Sequence, residues 1–236
     1  REDGYFLASA VAEPQDLALG ILQIRILEGT IVRVSFSGDL SDREELLLDF
    51  AAKIREQKPA RLENLERYML LIDDLPGASV DGSLKPVNKD EGEFELALEV
   101  GHAATDAYAS LDNRGTRSVG RYQTFLHGDI NKGVTNSERT GVSLFTIPRS
   151  PKELVYGDLT HEQHVGTEGL KVSLTLSHSE ADVGGIYASS DLGSRGSRAV
   201  LGFSYPVIRA RDQNLFVNAN FDVSNQSQNQ NDERIS

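Results

Sequence analysis

After His102 the hydrophobic pattern of the chain has a period of two, and this alternation is the strongest constraint on its fold. It is clearest in "VLGFSYPVI" and "NLFVNANFDV". One face of the first segment carries Ala199, Leu201, Phe203, Tyr205 and Val207, and the other carries Arg198, Gly202 and Ser204. The second segment places Leu215, Val217, Ala219, Phe221 and Val223 opposite Asn214, Asn218, Asn220 and Asp222. Because successive side chains of a strand point to opposite faces, we predict roughly seven antiparallel strands over residues 103–226.

Two architectures satisfy this alternation. A soluble sandwich or barrel turns its apolar face inward, whereas an outer-membrane barrel turns it toward lipid. The polar faces of Asn, Ser, Thr, Gly and Asp suit a watery lumen, and short turns such as "ARDQ" alternate with longer ones, which favours the membrane barrel. The absence of Trp and an aromatic content of 7% argue against it. No stretch approaches the roughly 18 to 20 apolar residues that a spanning helix needs, so a helical membrane protein is excluded.

Residues 30–102 predict a different, mixed module. The alternation in "TIVRVSFSG" indicates a strand, and Ser41 with Glu44 fits a capping box that starts a helix. A second helix carries Leu62, Leu65, Met69 and Ile72 on one stripe. Pro76 and Gly77 stop it, because proline cannot continue the helical hydrogen-bond ladder. A weak strand and the alternating strand "GEFELALEV" complete the order strand, helix, helix, strand, strand.

The remaining boundaries follow from these patterns. Residues 1–29 resemble the last two strands of a preceding module, in "GYFLASAVA" and "GILQIRILEG". We therefore predict three parts: the end of one α+β module at 1–29, a complete module at 30–102, and the start of a β-barrel at 103–236. Since seven strands leave open edges, we expect further strands to close that barrel, and we interpret the sequence as an internal fragment.

Charge and composition exclude several function classes. The net charge of −12 argues against nucleic acid as a partner, because affinity for nucleic acid depends on clustered Lys and Arg. The chain has no cysteine, which removes disulfides and cysteine-based zinc sites.

The enzyme-like motifs are weak. His161 and His164 are three residues apart, whereas a zinc metalloprotease helix needs two histidines four apart, so we expect "HEQH" to be a turn or loop. We expect Asp73 and Asp74, at the end of a helix, to be solvated. There is no nucleophile elbow and no phosphate-cradling loop. We therefore expect no catalytic residue, metal, cofactor or small-molecule substrate.

The weak strand offers a different kind of site. Gly82 and the nearby Pro86 mark it as a sheet edge, where an unfolded protein could add a strand through main-chain hydrogen bonds. The same two residues could instead protect the edge from pairing. Both interpretations stay open for the candidate client-binding residues, which are Ser79, Val80, Asp81, Gly82, Ser83, Leu84 and Lys85.

Several motifs together resemble the haemolysin activation/secretion family, the outer-membrane transporters of two-partner secretion. They are "LENLERYMLLIDDLPGASVDGSLKP", "DNRGTRSVGRYQ" and "LGFSYPVIRARDQNLFV". The residues that carry the resemblance are Leu65, Glu66, Arg67, Asp74, Pro76, Gly77, Asp112, Asn113, Gly115, Tyr205, Pro206 and Arg209.

The resemblance implies a fold, a location and a partner. The fold is an α+β polypeptide-transport-associated (POTRA) domain followed by the strands of an antiparallel transmembrane β-barrel, here a partial one. The barrel would lie in the lipid of the bacterial outer membrane with the POTRA domain in the periplasm, where it binds a secreted haemolysin- or adhesin-like protein in extended form. The later barrel strands, the Val-Arg-Gly-Tyr loop, the plug helix and most of the first POTRA domain are missing from this sequence.

Two other functions are consistent with the sequence. A POTRA-containing factor that assembles or inserts other outer-membrane proteins is the main alternative, and it is expected to carry more POTRA repeats upstream. A soluble β-rich binding or carbohydrate-active protein is the third possibility.

Overall fold

The computed structural model describes residues 4–17, 20–40, 42–116, 120–133, 135–182, 192–230 and 233–235. They form two compact units. The first contains Arg1–His102 with two short segments, Gly166–Gly169 and Pro206–Phe216. The second contains Ala103–Val165, Leu170–Tyr205 and Val217–Ser236.

The first unit begins with two short strands, β1 (Ser9–Val11) and β2 (Arg25–Leu27), which pair antiparallel. They are much shorter than the two segments whose composition indicates strands in this region. The following module has β3 (Thr30–Gly38), α1 (Glu44–Glu56), α2 (Leu62–Asp73), β4 (Ala78–Asn88) and β5 (Glu93–His102). This is the predicted order of strand, helix, helix, strand, strand.

The sheet of this module has the order β3-β5-β4, with β3 parallel and β4 antiparallel to the central β5. The even-numbered apolar residues of β5 point toward the helices, and Leu96, Leu98 and Val100 are almost fully buried there. The helices contribute their apolar stripes to the same core, which includes Leu47, Phe50, Ile54, Leu65 and Ile72. Burial of these matched faces on one side of the sheet is what fixes the strand register.

The stop after α2 is confirmed. The N–H of Asp74 donates to the carbonyl of Leu70 at 2.9 Å, and Gly77 then adopts a φ of 67°, where a Cβ is strained. The guanidinium of the buried Arg43 donates to the carbonyl of Pro76 at 2.6 Å. The chain thus turns directly into β4.

The predicted capping box is wrong. Helix α1 begins at Glu44 with Arg43, not Ser41, at the N-cap position, and the Arg43 side chain makes no capping hydrogen bond. Asp42 has a φ of 55° and the N–H of Arg43 donates to the carbonyl of Leu40 at 2.9 Å, so a tight turn delays the first helical residue. Ser41 lies outside the described residues.

The second unit is built from strands. They are β6 (Thr105–Asp112), β7 (Gln123–Asn131), β8 (Glu138–Thr146), β9 (Val155–Val165), β10 (Leu170–Asp182), β11 (Leu192–Arg209), β12 (Asn214–Gln230) and β13 (Glu233–Ile235). These eight strands of the described ranges form one sheet in sequence order, with β6 and β13 at its two ends. Each strand neighbours the next in the chain, as expected for an antiparallel meander, and the sheet is not closed.

The two faces of this sheet differ sharply. Leucines and valines lie opposite each other on one face and stay exposed; cross-strand pairs include Leu126 with Leu144, Val142 with Leu159, and Leu174 with Leu201. On the other face one register row runs through Tyr108, His127, Ser143, Asp158, Ser177 and Arg198. Side-chain hydrogen bonds link His127 to Ser143 at 3.0 Å and Ser143 to Asp158 at 3.2 Å. The polar face is thus hydrogen-bonded while the apolar face is bare.

Neither helix in the described ranges is long and apolar enough to cross a membrane.

Candidate functional site

Strand β4 lies at one edge of the three-stranded sheet and contains all seven candidate client-binding residues. Val80 and Leu84 pack against the helical core. Asp81, Ser83 and Lys85 are exposed, and they line the face of the sheet that the helices do not cover. With Ser37, Ala97 and Glu99 they border a shallow depression of about 250 Å³.

The charges on this open face are unevenly distributed. Asp81 lies directly across the ladder from Glu99, so two like charges are neighbours. At the other end Lys85 lies across from Glu95, which also contacts Arg33 at 3.5 Å. One end of the open face is therefore acidic, and the other end carries both signs.

Several motif residues that carry the family resemblance are in contact within the first unit. Leu65 is buried in the core, whereas its neighbours Glu66 and Arg67 face outward from α2. Arg67 donates to the carbonyl of Pro206 at 3.2 Å. Glu66 lies 3.8 Å from Arg211, an exposed and weak contact.

Asp73 and Asp74 are both exposed, as expected, but each also has a hydrogen-bond partner. The Oδ1 atom of Asp73 accepts a hydrogen bond of 3.1 Å from the N–H of Val80. Both carboxylate oxygens of Asp74 accept hydrogen bonds of 2.7 Å from the guanidinium of Arg209. The partner of Asp74 is remote in sequence, which is why the helix end alone did not reveal it.

Glu168 is the centre of a charged cluster that the sequence did not predict. Its carboxylate accepts a hydrogen bond of 3.0 Å from the Tyr68 hydroxyl, and it lies 3.3 Å from the Lys53 ammonium and 3.5 Å from Arg67. Arg67 also donates to the Glu168 carbonyl at 3.3 Å. Side chains of both α1 and α2 thus contact Glu168 in the Gly166–Gly169 segment.

The ionisation of this cluster follows from its contacts. Burial favours the neutral form of Glu168, but the hydrogen bonds from Tyr68 and Lys53 outweigh it and hold the pKa of the carboxyl group below its ordinary value. Burial and the hydrogen bond to Glu168 raise the pKa of the Tyr68 hydroxyl. The hydrogen bond to Glu168 also raises the pKa of Lys53. All three groups therefore keep their ordinary charge states at neutral pH.

The only sequence signal for this cluster is Arg67, which belongs to the family motif. Lys53 and Glu168 are charged residues in unremarkable contexts, and Tyr68 falls on the apolar stripe of α2. Their association depends on contacts between positions about a hundred residues apart.

The tetrapeptide "HEQH" lies inside β9, so the prediction of a turn or loop is wrong. Alternation along the strand puts Glu162 and His164 on one face, where they are 3.3 Å apart, and His161 on the other, bonded to Thr140 at 2.9 Å. Glu162 also contacts Arg139 at 3.3 Å and Lys171 at 3.1 Å. The described ranges contain no group of three His, Cys, Asp or Glu side chains arranged to hold a metal ion.

Of the other two motifs, Asp112, Asn113, Gly115 and Tyr205 lie in the second unit, whereas Pro206 and Arg209 lie in the Pro206–Phe216 segment of the first unit. Asp112 ends β6, and its Oδ1 accepts the N–H of Arg114 at 2.9 Å, forming a local turn that includes Asn113. A side chain at Gly115 would collide with the carbonyl of Gly120. Tyr205 lies in β11 on the exposed apolar face. These residues shape turns and faces of the second-unit sheet.

No protein-family model matches the chain. Known proteins do match it over most of its length. The haem/hemopexin transporter protein HuxB of Haemophilus influenzae is 23% identical over 230 residues, which is 95% of this chain and 40% of HuxB. The outer membrane transporter CdiB of Dickeya dadantii is 25% identical over 127 residues, or 54% of this chain and 22% of that protein. The chain thus spans well under half the length of these relatives.

Solved structures support the same fold. CdiB from Escherichia coli superposes with a TM-score of 0.73 at 20% identity, over 99% of this chain and 44% of the solved one. CdiB from Acinetobacter baumannii gives a TM-score of 0.62 at 16% identity, with the same coverage of both chains. The chain is therefore similar in sequence along nearly its whole length to a transporter protein and along about half of it to an outer membrane transporter, and the resemblance that its motifs carry to the transporters of two-partner secretion is confirmed.

Proposed function

We propose that this protein is part of an outer-membrane transporter that recognises a secreted partner protein and passes it out of the cell. The observation that carries this proposal is the contrast between the two faces of the second-unit sheet. Exposed Leu and Val side chains suit contact with lipid, and the hydrogen-bonded polar row suits a watery lumen. The similarity to outer-membrane transporters supports the same function.

The first unit is the proposed recognition element, placed in the periplasm as the POTRA resemblance implies. Strand β4 exposes an edge of backbone groups, and an extended client can pair with such an edge without demanding a particular sequence. The client contacts would come from Ser79–Lys85. Nothing in this scheme requires a cofactor, a small-molecule substrate or nucleotide hydrolysis.

The experiment is a comparison of secreted proteins. The gene is deleted in the source bacterium, and the culture medium and the outer membrane are both analysed by mass spectrometry. We expect one large protein to disappear from the medium and to return when the full-length gene is restored. An unchanged medium would contradict the proposed function.

The same experiment tests the alternative of an assembly factor. Loss of an assembly factor would lower the amount of several barrel proteins in the outer membrane. We expect the outer-membrane profile to stay constant apart from the deleted protein. A general loss of barrel proteins would favour the assembly function over secretion.

A further inference from the structure

The free backbone groups of β4 can be assigned one by one. In an antiparallel pair, alternate residues direct both their N–H and C=O groups toward the neighbouring strand or away from it. The N–H of Val80 donates to the Asp73 side chain, so the backbone N–H and C=O groups of Val80 are directed away from β5. Gly82 and Leu84 lie two and four residues farther along the strand, so their backbone N–H and C=O groups are also directed away from β5.

Strand β5 gives the same assignment independently. The carbonyl of Val100 accepts the N–H of Asp39, on the β3 side of the sheet. The adjacent residue, Glu99, therefore faces β4, where it is opposite Asp81. Odd-numbered residues of β4 thus form the internal ladder, and even-numbered residues form the open edge.

At both ends of the open edge, the outward-facing N–H group is unavailable to an incoming strand. At its start, the Asp73 carboxylate already occupies the N–H of Val80 at 3.1 Å. At its end, Pro86 has no N–H, and the pairing register shifts between Pro86 and Asn88. Between Val80 and Pro86, the N–H groups of Gly82 and Leu84 remain to donate hydrogen bonds to an incoming strand.

The side chains beside these amides indicate what kind of strand fits. On the helix side Gly82 contributes no side chain, and the nearest atoms to an added Cβ belong to Met69 and Leu98, so the neighbouring surface is apolar. On the open face Asp81 and Glu99 form a like-charged pair, and the structure gives neither an ion-pair partner within the described residues. A strand with an apolar side chain on one face and a basic side chain near Asp81 complements both faces.

We propose that the β4 edge admits an extended, amphipathic client segment only between Asp73 and Pro86, in a single register that the Gly82 and Leu84 amides and the charge of Asp81 fix together. This inference rests on the proposed function, since it specifies how the client of the transporter is recognised. Asp73 is then a residue that sets the register: by occupying the Val80 amide it prevents the client from pairing farther along the edge.

The test uses the full-length protein in lipid nanodiscs and a short synthetic peptide of alternating valine and threonine with one lysine. Leu84→Pro removes one of the two free amides without touching the β4–β5 ladder. Leu84→Ala is its matched control, because it loses the side chain but keeps the amide. Loss of one hydrogen bond predicts a peptide affinity about fivefold weaker for the proline variant than for the alanine variant.

A second variant tests the closed end. Asp73→Ala frees the Val80 amide, so we expect the peptide to bind about fivefold more tightly and to gain a second register. Residues 1–236 contain no cysteine, so Ser83→Cys introduces a single thiol into this part of the protein, and single cysteines along the peptide map the register by disulfide trapping. Trapping at one peptide position in the parent and at a second position two residues away in Asp73→Ala is the expected result.

The outcomes separate the two proposals. Equal affinities for Leu84→Pro and Leu84→Ala, an unchanged register in Asp73→Ala, or no peptide binding at all would overturn the edge assignment. Those results leave the secretion function standing if the gene deletion still removes a protein from the medium. An unchanged medium after deletion overturns the proposed function itself. Circular dichroism of each variant verifies that it is folded.

Discussion

The guanidinium of Arg209 bonds both carboxylate oxygens of Asp74, with two N···O distances of 2.7 Å. The contact joins the C-cap of α2 to the Pro206–Phe216 segment of the first unit. Two parallel charge-assisted bonds are geometrically specific, and lysine cannot reproduce them. Asp74 and Arg209 are both among the motif residues that carry the family resemblance.

The first prediction concerns this pair. We expect Arg209→Lys to destabilise the first unit by about 1 kcal/mol, measured by hydrogen exchange of the α2 amides in the lipid-embedded protein. Arg211→Lys is the matched control, because Arg211 is exposed and lies 3.8 Å from its acidic neighbour. A loss of protection in the control equal to that in Arg209→Lys would contradict a specific role for the bidentate pair.

The second prediction is a pH dependence. The contacts of Glu168 lower its pKa in the folded state, so they stabilise the first unit at pH values above the ordinary glutamate pKa. This stabilisation is lost as the pH falls from the ordinary value through the lower folded value. We expect Glu168→Gln to be less stable than the parent at neutral pH and equally stable in acid. Denaturant titrations at a series of pH values measure the difference, and a difference independent of pH would contradict the assignment.

The third prediction concerns Gly77, whose φ of 67° is unfavourable for a side chain. Gly77→Ala is expected to destabilise the first unit by about 1 kcal/mol because alanine resists this backbone conformation. Asn tolerates it better, so Gly77→Asn is the control and should cost less. Equal losses of thermal stability in the two variants would point to side-chain crowding instead of backbone strain.

The fourth prediction concerns Arg43, whose side chain is 1% exposed and whose pKa burial lowers. Its Nη2 atom bonds the Pro76 carbonyl, whereas its Nε and Nη1 atoms are buried without a hydrogen-bond partner in the described structure. We expect Arg43→Ala to cost about 2–4 kcal/mol through the cavity it leaves. Arg43→Met keeps the volume and removes the buried charge, so it should cost less. Urea unfolding of both variants measures this order.

The fifth prediction tests the two faces of β10. Leu174 lies on the exposed apolar face and its neighbour Ser173 on the polar face. An arginine on the lipid side of a barrel costs about 2–4 kcal/mol near the membrane centre, so Leu174→Arg should reduce the heat-modifiable folded form of the full-length protein. Ser173→Arg should be tolerated. Equal effects of both substitutions would contradict the lipid-facing assignment.

Local pattern was enough to predict most elements of the fold. The alternation of Phe94, Leu96, Leu98 and Val100 placed β5, and Pro76 with Gly77 placed the end of α2. Such signals are local because strand period and proline chemistry act within a few residues. The free edge of β4 was also indicated locally, by Gly82 and Pro86.

The features that local sequence patterns did not predict depend on tertiary contacts. The ladder of β8, β9 and β10 overrides the turn-like composition of "HEQH", because His161, Glu162 and Gln163 pair with both neighbouring strands and His164 pairs with β10. Asp42 and Arg43 move the start of α1 through a turn that the Ser41 pattern does not encode. Glu168 meets Tyr68 across about a hundred residues, and no local pattern reports such a pairing.

The parallel pairing of β3 with β5 has a consequence for the order of folding. Arg33 and Glu95 are neighbours in that pair although they are 62 residues apart in the chain, whereas β4 and β5 form a hairpin across a short turn. Closing the longer loop costs more chain entropy, so we expect the hairpin to form first and β3 to dock last. Until β3 docks, β5 also has a free edge. A chain that is still folding therefore exposes two competing strand edges, those of β4 and β5, until β3 covers the edge of β5.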